Sequence, residues 1–114
     1  MSTRCEIGKV LRNGSVQAVY NHFDGYLSGV GLDLLTDWNS EDKATEVVNG
    51  AYNREEERHF QSVDDWLKHL TNSDREYAYL WKDGHWQYIK AVWNNGTTVW
   101  STEWQDVSEG LKTE

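Results

Sequence analysis

The chain has 114 residues, enough for one domain, with 19 acidic against 11 basic side chains and a net charge of −8 at pH 7. That excess, without a basic cluster, disfavours direct binding to DNA, RNA or an anionic membrane and suits a basic protein partner. Seven Trp, six Tyr and two Phe supply a core, since each such side chain buries about 150–250 Å².

No apolar run approaches the roughly 20 residues that cross a bilayer, and the start Met1-Ser2-Thr3-Arg4 lacks the apolar stretch of a signal peptide. The single cysteine, Cys5, can form no internal disulfide. A reducing cytoplasm is the expected compartment.

Residues 4–11 and 16–23 read as a hairpin around Asn13-Gly14, the pair favoured in a two-residue type I′ turn. With Arg12 facing Ser15, Leu11 meets Val16, Lys9 meets Ala18, Ile7 meets Tyr20 and Cys5 meets His22. The face carrying Cys5, Ile7, Leu11, Val16, Ala18, Tyr20 and His22 is the expected buried one. Ser28 is placed to cap a helix over 30–38, with Val30, Leu34, Leu35 and Trp38 at helical spacing. Ser40 caps a second over 41–49, stopped by Gly50. Ser62-Val63-Asp64-Asp65 resembles a capping box ahead of the stripe Val63, Trp66, Leu67 and Leu70. Residues 51–61 read as loop.

From Glu76 the period becomes two. Strands over 77–81 and 86–93 flank an Asp83-Gly84 turn, and Asn95-Gly96 leads to a last strand over 97–104. This register opposes Trp81 to Trp86, Tyr79 to Tyr88 and Tyr77 to Lys90, an aromatic ladder on one face. Ala78, Leu80, Ile89, Ala91 and Trp93 lie on the other, joined by Trp100 and Trp104. The expected fold is α+β: an antiparallel sheet of about five strands, from the N-terminal hairpin and the C-terminal meander, packed on one side against two to three helices. Residues 1–107 form the single domain and 108–114 a polar tail.

Three constellations carry functional expectations. The inferred register opposes Cys5 to His22 with Cβ atoms about 4.5–5.5 Å apart, within reach of one Zn²⁺, and Asp24 serves as an oxygen ligand or orients His22. A fourth ligand is open among His59, His69, His85, water and a second chain; the competing reading makes Cys5 and His22 ordinary core residues. The same pair suits a nucleophile and its base only with an accessible pocket and an oxyanion donor. The ladder of Tyr77, Tyr79, Trp81, Trp86 and Tyr88 is either packing or a partner-docking patch, and too few cations accompany it for nucleic acid. Asp37, Glu41 and Asp42, with Asp33 and Glu46, form an acidic surface suited to a basic partner. The glycines of 24–31 lack the Gly-Lys-Ser/Thr ending of a phosphate loop and read as a tight turn into the first helix.

Three segments carry a resemblance: Met1-Ser2-Thr3-Arg4, Tyr20-Asn21-His22-Phe23-Asp24-Gly25-Tyr26-Leu27-Ser28-Gly29-Val30-Gly31, and Ser73-Asp74-Arg75-Glu76-Tyr77-Ala78-Tyr79-Leu80-Trp81. In that order the chain resembles a family of small phage and prophage proteins with a Ser-Thr-Arg start, a Tyr-x-His-Trp-Asp-Gly-Tyr-x-Ser-Gly-Val-Gly stretch and an aromatic hairpin. Phe23 stands where the family has Trp, a conservative change for packing. The resemblance extends to a zinc-containing type II-A anti-CRISPR protein. It implies a non-enzymatic inhibitor in the cytoplasm of the infected bacterial host, one that binds a host CRISPR effector nuclease, an RNA-guided DNA nuclease, directly and hinders target DNA loading. Zinc would then sit at Cys5 and His22, with Asp24. The alternatives are a small metal-dependent or thiol enzyme centred on Cys5 and His22, and a homodimeric structural or regulatory phage protein joined through the ladder.

Overall fold

A computed structural model describes residues 3–52, 55–101 and 103–113. The expected Met1-Ser2 start and the side chains of Glu55, Glu56 and Trp93 lie outside the described set. The fold is α+β, as expected, with a mixed sheet. Strands β1 (Cys5–Val10), β2 (Val16–Asn21), β3 (Glu55–Phe60), β4 (Tyr77–Lys82), β5 (His85–Asn94) and β6 (Thr97–Trp100) take the order β3-β2-β1-β4-β5-β6, and β7 (Gln105–Asp106) pairs with β5. The central pair β1 and β4 is parallel and the other pairs are antiparallel. Among the described residues no helix is long and apolar enough to cross a membrane.

Helices cover both faces, not one. A π-turn (Leu27–Gly31) continues into α1 (Leu32–Asp37), which lies with α2 (Glu41–Val48) and α4 (Val107–Thr113) over Cys5, Ile7, Val19, Tyr79, Trp81, Trp86 and Tyr88. Helix α3 (Val63–Thr71) covers Val16, Ala18, Ala78, Leu80, Ile89 and Trp100 with Trp66 and Leu70. Parallel central strands require apolar residues on both faces, and β1 is buried from Cys5 to Lys9.

The first hairpin departs from its expected register by one residue. Gly14 takes φ +85° but Asn13 does not adopt positive φ, so the turn is not type I′. Gly14 N–H donates to Leu11 C=O at 2.9 Å, Leu11 N–H donates to Ser15 C=O at 2.8 Å, and the Asn13 carboxamide accepts from Ser15 N–H at 3.1 Å. This is the longer loop closed by a left-handed glycine bulge. Cys5 therefore pairs with Asn21, Glu6 with Tyr20, Ile7 with Val19 and Gly8 with Ala18. Asp83 (φ 55°) with Gly84 (φ 83°), and Asn95 (φ 50°) with Gly96 (φ 87°), do form type I′ turns. The β4–β5 register is accordingly as expected, with Trp81 opposite Trp86 and Tyr79 opposite Tyr88.

Helix ends follow local chemistry. Ser40 Oγ accepts from Lys43 N–H and Ser62 Oγ from Asp65 N–H, each at 3.1 Å. Ser28 caps nothing, because the chain enters α1 through the π-turn, whose preceding residue Tyr26 makes no side-chain cap. Residues 55–60 form edge strand β3 instead of loop; its charges hide the alternation that marks inner strands and protect the edge from pairing with other chains. Residues 107–113, expected as tail from 108, are helical. Asp106 Oδ1 caps α4 by accepting from Ser108 N–H at 2.8 Å, and Gly110 packs directly on the Tyr88 ring.

Two glycine substitutions separate conformational strain from crowding. At Gly14 an added Cβ meets nothing within 4 Å, so Gly14→Ala is expected to cost only the left-handed penalty of about 1 kcal/mol. At Gly29 the Cβ would lie 2.2 Å from the Asp24 carbonyl oxygen, and Gly29→Ala is expected to cost more than about 3 kcal/mol. Urea midpoints of both variants measure the difference.

Candidate functional site

The shifted register separates the residues expected to hold a metal. Cys5 is fully buried among α2-side core residues, and Asn21 Nδ2 lies 3.8 Å from its Sγ. Burial pushes the Cys5 thiol far above its ordinary pKa, against the smaller lowering effect of Asn21. His22 stands with the opposite face: its Nδ1 lies 2.7 Å from the Tyr20 hydroxyl, and Tyr20 is paired with Glu6. Asp24 is exposed at φ 56°, and Tyr26 OH donates to it at 3.3 Å. Cys5, His22 and Asp24 thus do not converge on one position, and no three His, Cys, Asp or Glu side chains gather to hold a metal among the described residues. The expected Cys5–His22 pairing is replaced by Cys5 opposite Asn21.

The glycines of 24–31 serve packing. A Cβ at Gly25 would lie 2.8 Å from the Thr3 carbonyl oxygen and 3.1 Å from Cys5 Sγ, and the buried Tyr79 hydroxyl donates to Gly25 C=O at 2.6 Å. Gly31 faces Leu27, Tyr79 and Val107. The motif folds the π-turn down onto β1 and β4. Phe23 is not packed as expected: it is 65% exposed and rests edge-on against His22.

The aromatic ladder is core, not surface. Tyr79, Trp81, Trp86 and Tyr88 are buried and Tyr77 is partly buried against them, because α1, α2 and α4 lie over that face. Trp86 Nε1–H donates to the Trp38 carbonyl at 3.0 Å, and Trp81 Nε1–H to Glu41 Oε1 at 3.1 Å. A docking role for these five residues gives way to helix attachment.

Of the expected acidic residues, Asp37, Glu41 and Asp42 are all exposed on α1 and α2. Glu41 is already engaged: Lys9 Nζ reaches Oε2 at 2.6 Å, and the hydrogen bonds from Lys9 and Trp81 hold its carboxyl below the usual range. Asp33 accepts from Tyr52 OH at 2.8 Å, and Glu46 pairs with Lys43 at 3.4 Å. Asp37 and Asp42 have no cationic partner among the described residues.

A charged cluster on the α3 face was missed in the sequence. Glu6 is 3% exposed; Trp66 Nε1–H donates to Oε1 at 2.8 Å, Arg75 Nε–H to Oε2 at 2.8 Å, and His69 Nε2 lies 2.7 Å from Oε2. Arg75 also holds Asp74 at 2.9 Å and stacks 4.1 Å over the Tyr20 ring. Burial opposes ionisation of Asp74, but the hydrogen bond from Arg75 and the charges of Arg4 and Arg75 outweigh it, leaving the carboxyl below its ordinary value. The stability this supplies is complete above the unfolded-state pKa and is lost as pH falls through the lower native one. The available sequence signal was Glu6 amid apolar strand residues, an acid in a buried strand that needs a partner.

No family model, no curated protein and no solved structure matches this chain.

Removing one member of the cluster isolates its contribution. Glu6→Gln leaves Arg75 with Asp74 as its charged partner, and a loss of about 3 kcal/mol is expected in chemical unfolding. Native Cys5 is expected to resist aromatic disulfide reagents at neutral pH and to react at the rate of unfolding; labelling as fast as a free thiol would contradict its burial.

Proposed function

We propose that this protein is a non-catalytic inhibitor that docks its acidic α1–α2 layer on a basic groove of a nucleic-acid-handling protein. The resemblance to phage proteins directs that reading to a host type II RNA-guided DNA nuclease, whose positively charged channel holds nucleic acid. Occupying such a channel hinders DNA loading without chemistry. The observation that carries the reading is the pair of exposed carboxylates Asp37 and Asp42, with no cation of their own among the described residues, on helices lying outside the sheet. The net charge of −8 favours long-range attraction to a basic partner and speeds encounter. The sealed Cys5 is consistent with action by occupancy: its thiol is out of reach of a substrate.

Titration of inhibitor against a loaded guide–nuclease complex, with DNA binding as readout, tests this. Saturation is expected at a fixed stoichiometry, with weaker inhibition as ionic strength rises. Asp37→Lys combined with Asp42→Lys is expected to weaken inhibition by about tenfold or more at unchanged melting temperature, since like charges facing a basic groove cost several kcal/mol. Inhibition that turns over, or full potency of the charge-reversed variant, would sink the proposal.

A further inference from the structure

A cleft opens where the C-terminal end of α2 meets edge strand β3. It has a volume of about 280 Å³ and is lined by Val19, Asn49, Gly50 and Glu57. That is just below the roughly 300–1,000 Å³ of small-molecule sites, a size suited to one long side chain.

Two of its lining side chains, Asn49 and Glu57, share one donor with the Val48 carbonyl. Gln17 Nε2 lies 3.0 Å from the Val48 carbonyl oxygen, 2.8 Å from Asn49 Oδ1 and 2.7 Å from Glu57 Oε1. An amide nitrogen carries only two hydrogens, so these three acceptors exceed what Gln17 can satisfy. Reversing the Asn49 amide would set two N–H₂ groups against each other, so Oδ1 faces Gln17. Glu57 has no Lys or Arg partner among the described residues. The end of α2 adds the partial negative charge of a helix C-terminus. Val19 is buried and supplies apolar lining, and Gly50, held at φ +97°, adds no side chain to it.

We propose that this cleft receives the guanidinium of an arginine side chain from a basic protein partner, a specific anchor that rests on the docking reading above. The planar fork offers five N–H donors to the carboxylate and the surplus oxygens. Its aliphatic stem lies along Val19 and Gly50. The strong negative charge of the chain favours a basic polypeptide over free arginine, whose own carboxylate Glu57 repels.

Amide chemical-shift titration of the full chain with the capped peptide acetyl-Gly-Arg-Gly-amide tests the site directly. Saturable shifts are expected at Val19, Asn49, Gly50 and Glu57. The citrulline peptide, which keeps the shape without the charge, is expected to bind about tenfold or more weakly, as is the arginine peptide to Glu57→Gln, for loss of one charge-assisted hydrogen bond. Unchanged dispersion of the remaining amides confirms that Glu57→Gln is folded. Equal binding of the citrulline peptide, or full binding by Glu57→Gln, overturns the site; a lysine peptide as tight as the arginine one overturns the guanidinium assignment. Free arginine as tight as the peptide overturns the partner-side-chain source. The nuclease assay separates this from the docking reading. Glu57→Gln with full inhibitory potency overturns the anchor while the acidic layer stands, whereas peptide binding by a chain that leaves the nuclease active sinks the docking reading and supports the cleft.

Discussion

The rest of the molecule depends on one left-handed residue at the tip of its first hairpin. Gly14 at φ +85° closes a bulged loop, and because side chains alternate across a sheet, the resulting one-residue shift assigns every β1 and β2 residue to its face relative to the partner strand. It puts Glu6 opposite Tyr20, within reach of Arg75, His69 and Trp66. It also sets Cys5 opposite Asn21, sealed under the other helix layer. The same shift that builds a buried ion cluster takes apart a prospective metal pair.

Two polar attachments then hold the helices to a sheet that is apolar on both sides. On one face Trp66 of α3 is tied to Glu6, so the largest side chain of the helix is fixed both by packing and by a hydrogen bond. On the other, Glu41 at the start of α2 receives Lys9 and Trp81, neighbours across the parallel β1–β4 pair. Lys9 lies buried along the sheet and delivers its charge at the helix edge. The acidic layer is thus partly neutralised from beneath, and what is left outward-facing is narrower than the charge count implies: chiefly Asp37 and Asp42.

The proposed docking follows from that distribution. Helices α1 and α2 present carboxylates, and the far end of α2 joins Glu57 in a cleft with more acceptors than donors. A surface that attracts from a distance and a site that accepts one cationic side chain are complementary: the first speeds encounter and the second gives register.

Much of the fold was legible from residue chemistry alone. Asp83-Gly84 dictates its own turn, because an Asp and a Gly both tolerate positive φ, and so the aromatic ladder and its register could be written down from the sequence. The caps at Ser40 and Ser62 are equally local. Asn13-Gly14 is the same kind of dipeptide, yet the carboxamide of Asn13 binds Ser15 and leaves only the glycine left-handed. Strand β3 was hidden because its residues Glu57, Arg58 and His59 carry edge chemistry instead of alternation. Composition, charge and the type I′ turns are properties of short stretches, and the sequence by itself determined the α+β class and the acidic character. Tertiary structure alone decided which face each strand shows, that the ladder is covered, that Glu6 meets Arg75 across 69 positions of chain, and that Val19, Asn49 and Glu57 line one cleft. Those outcomes depend on contacts between segments distant in sequence, whose energies no local window contains.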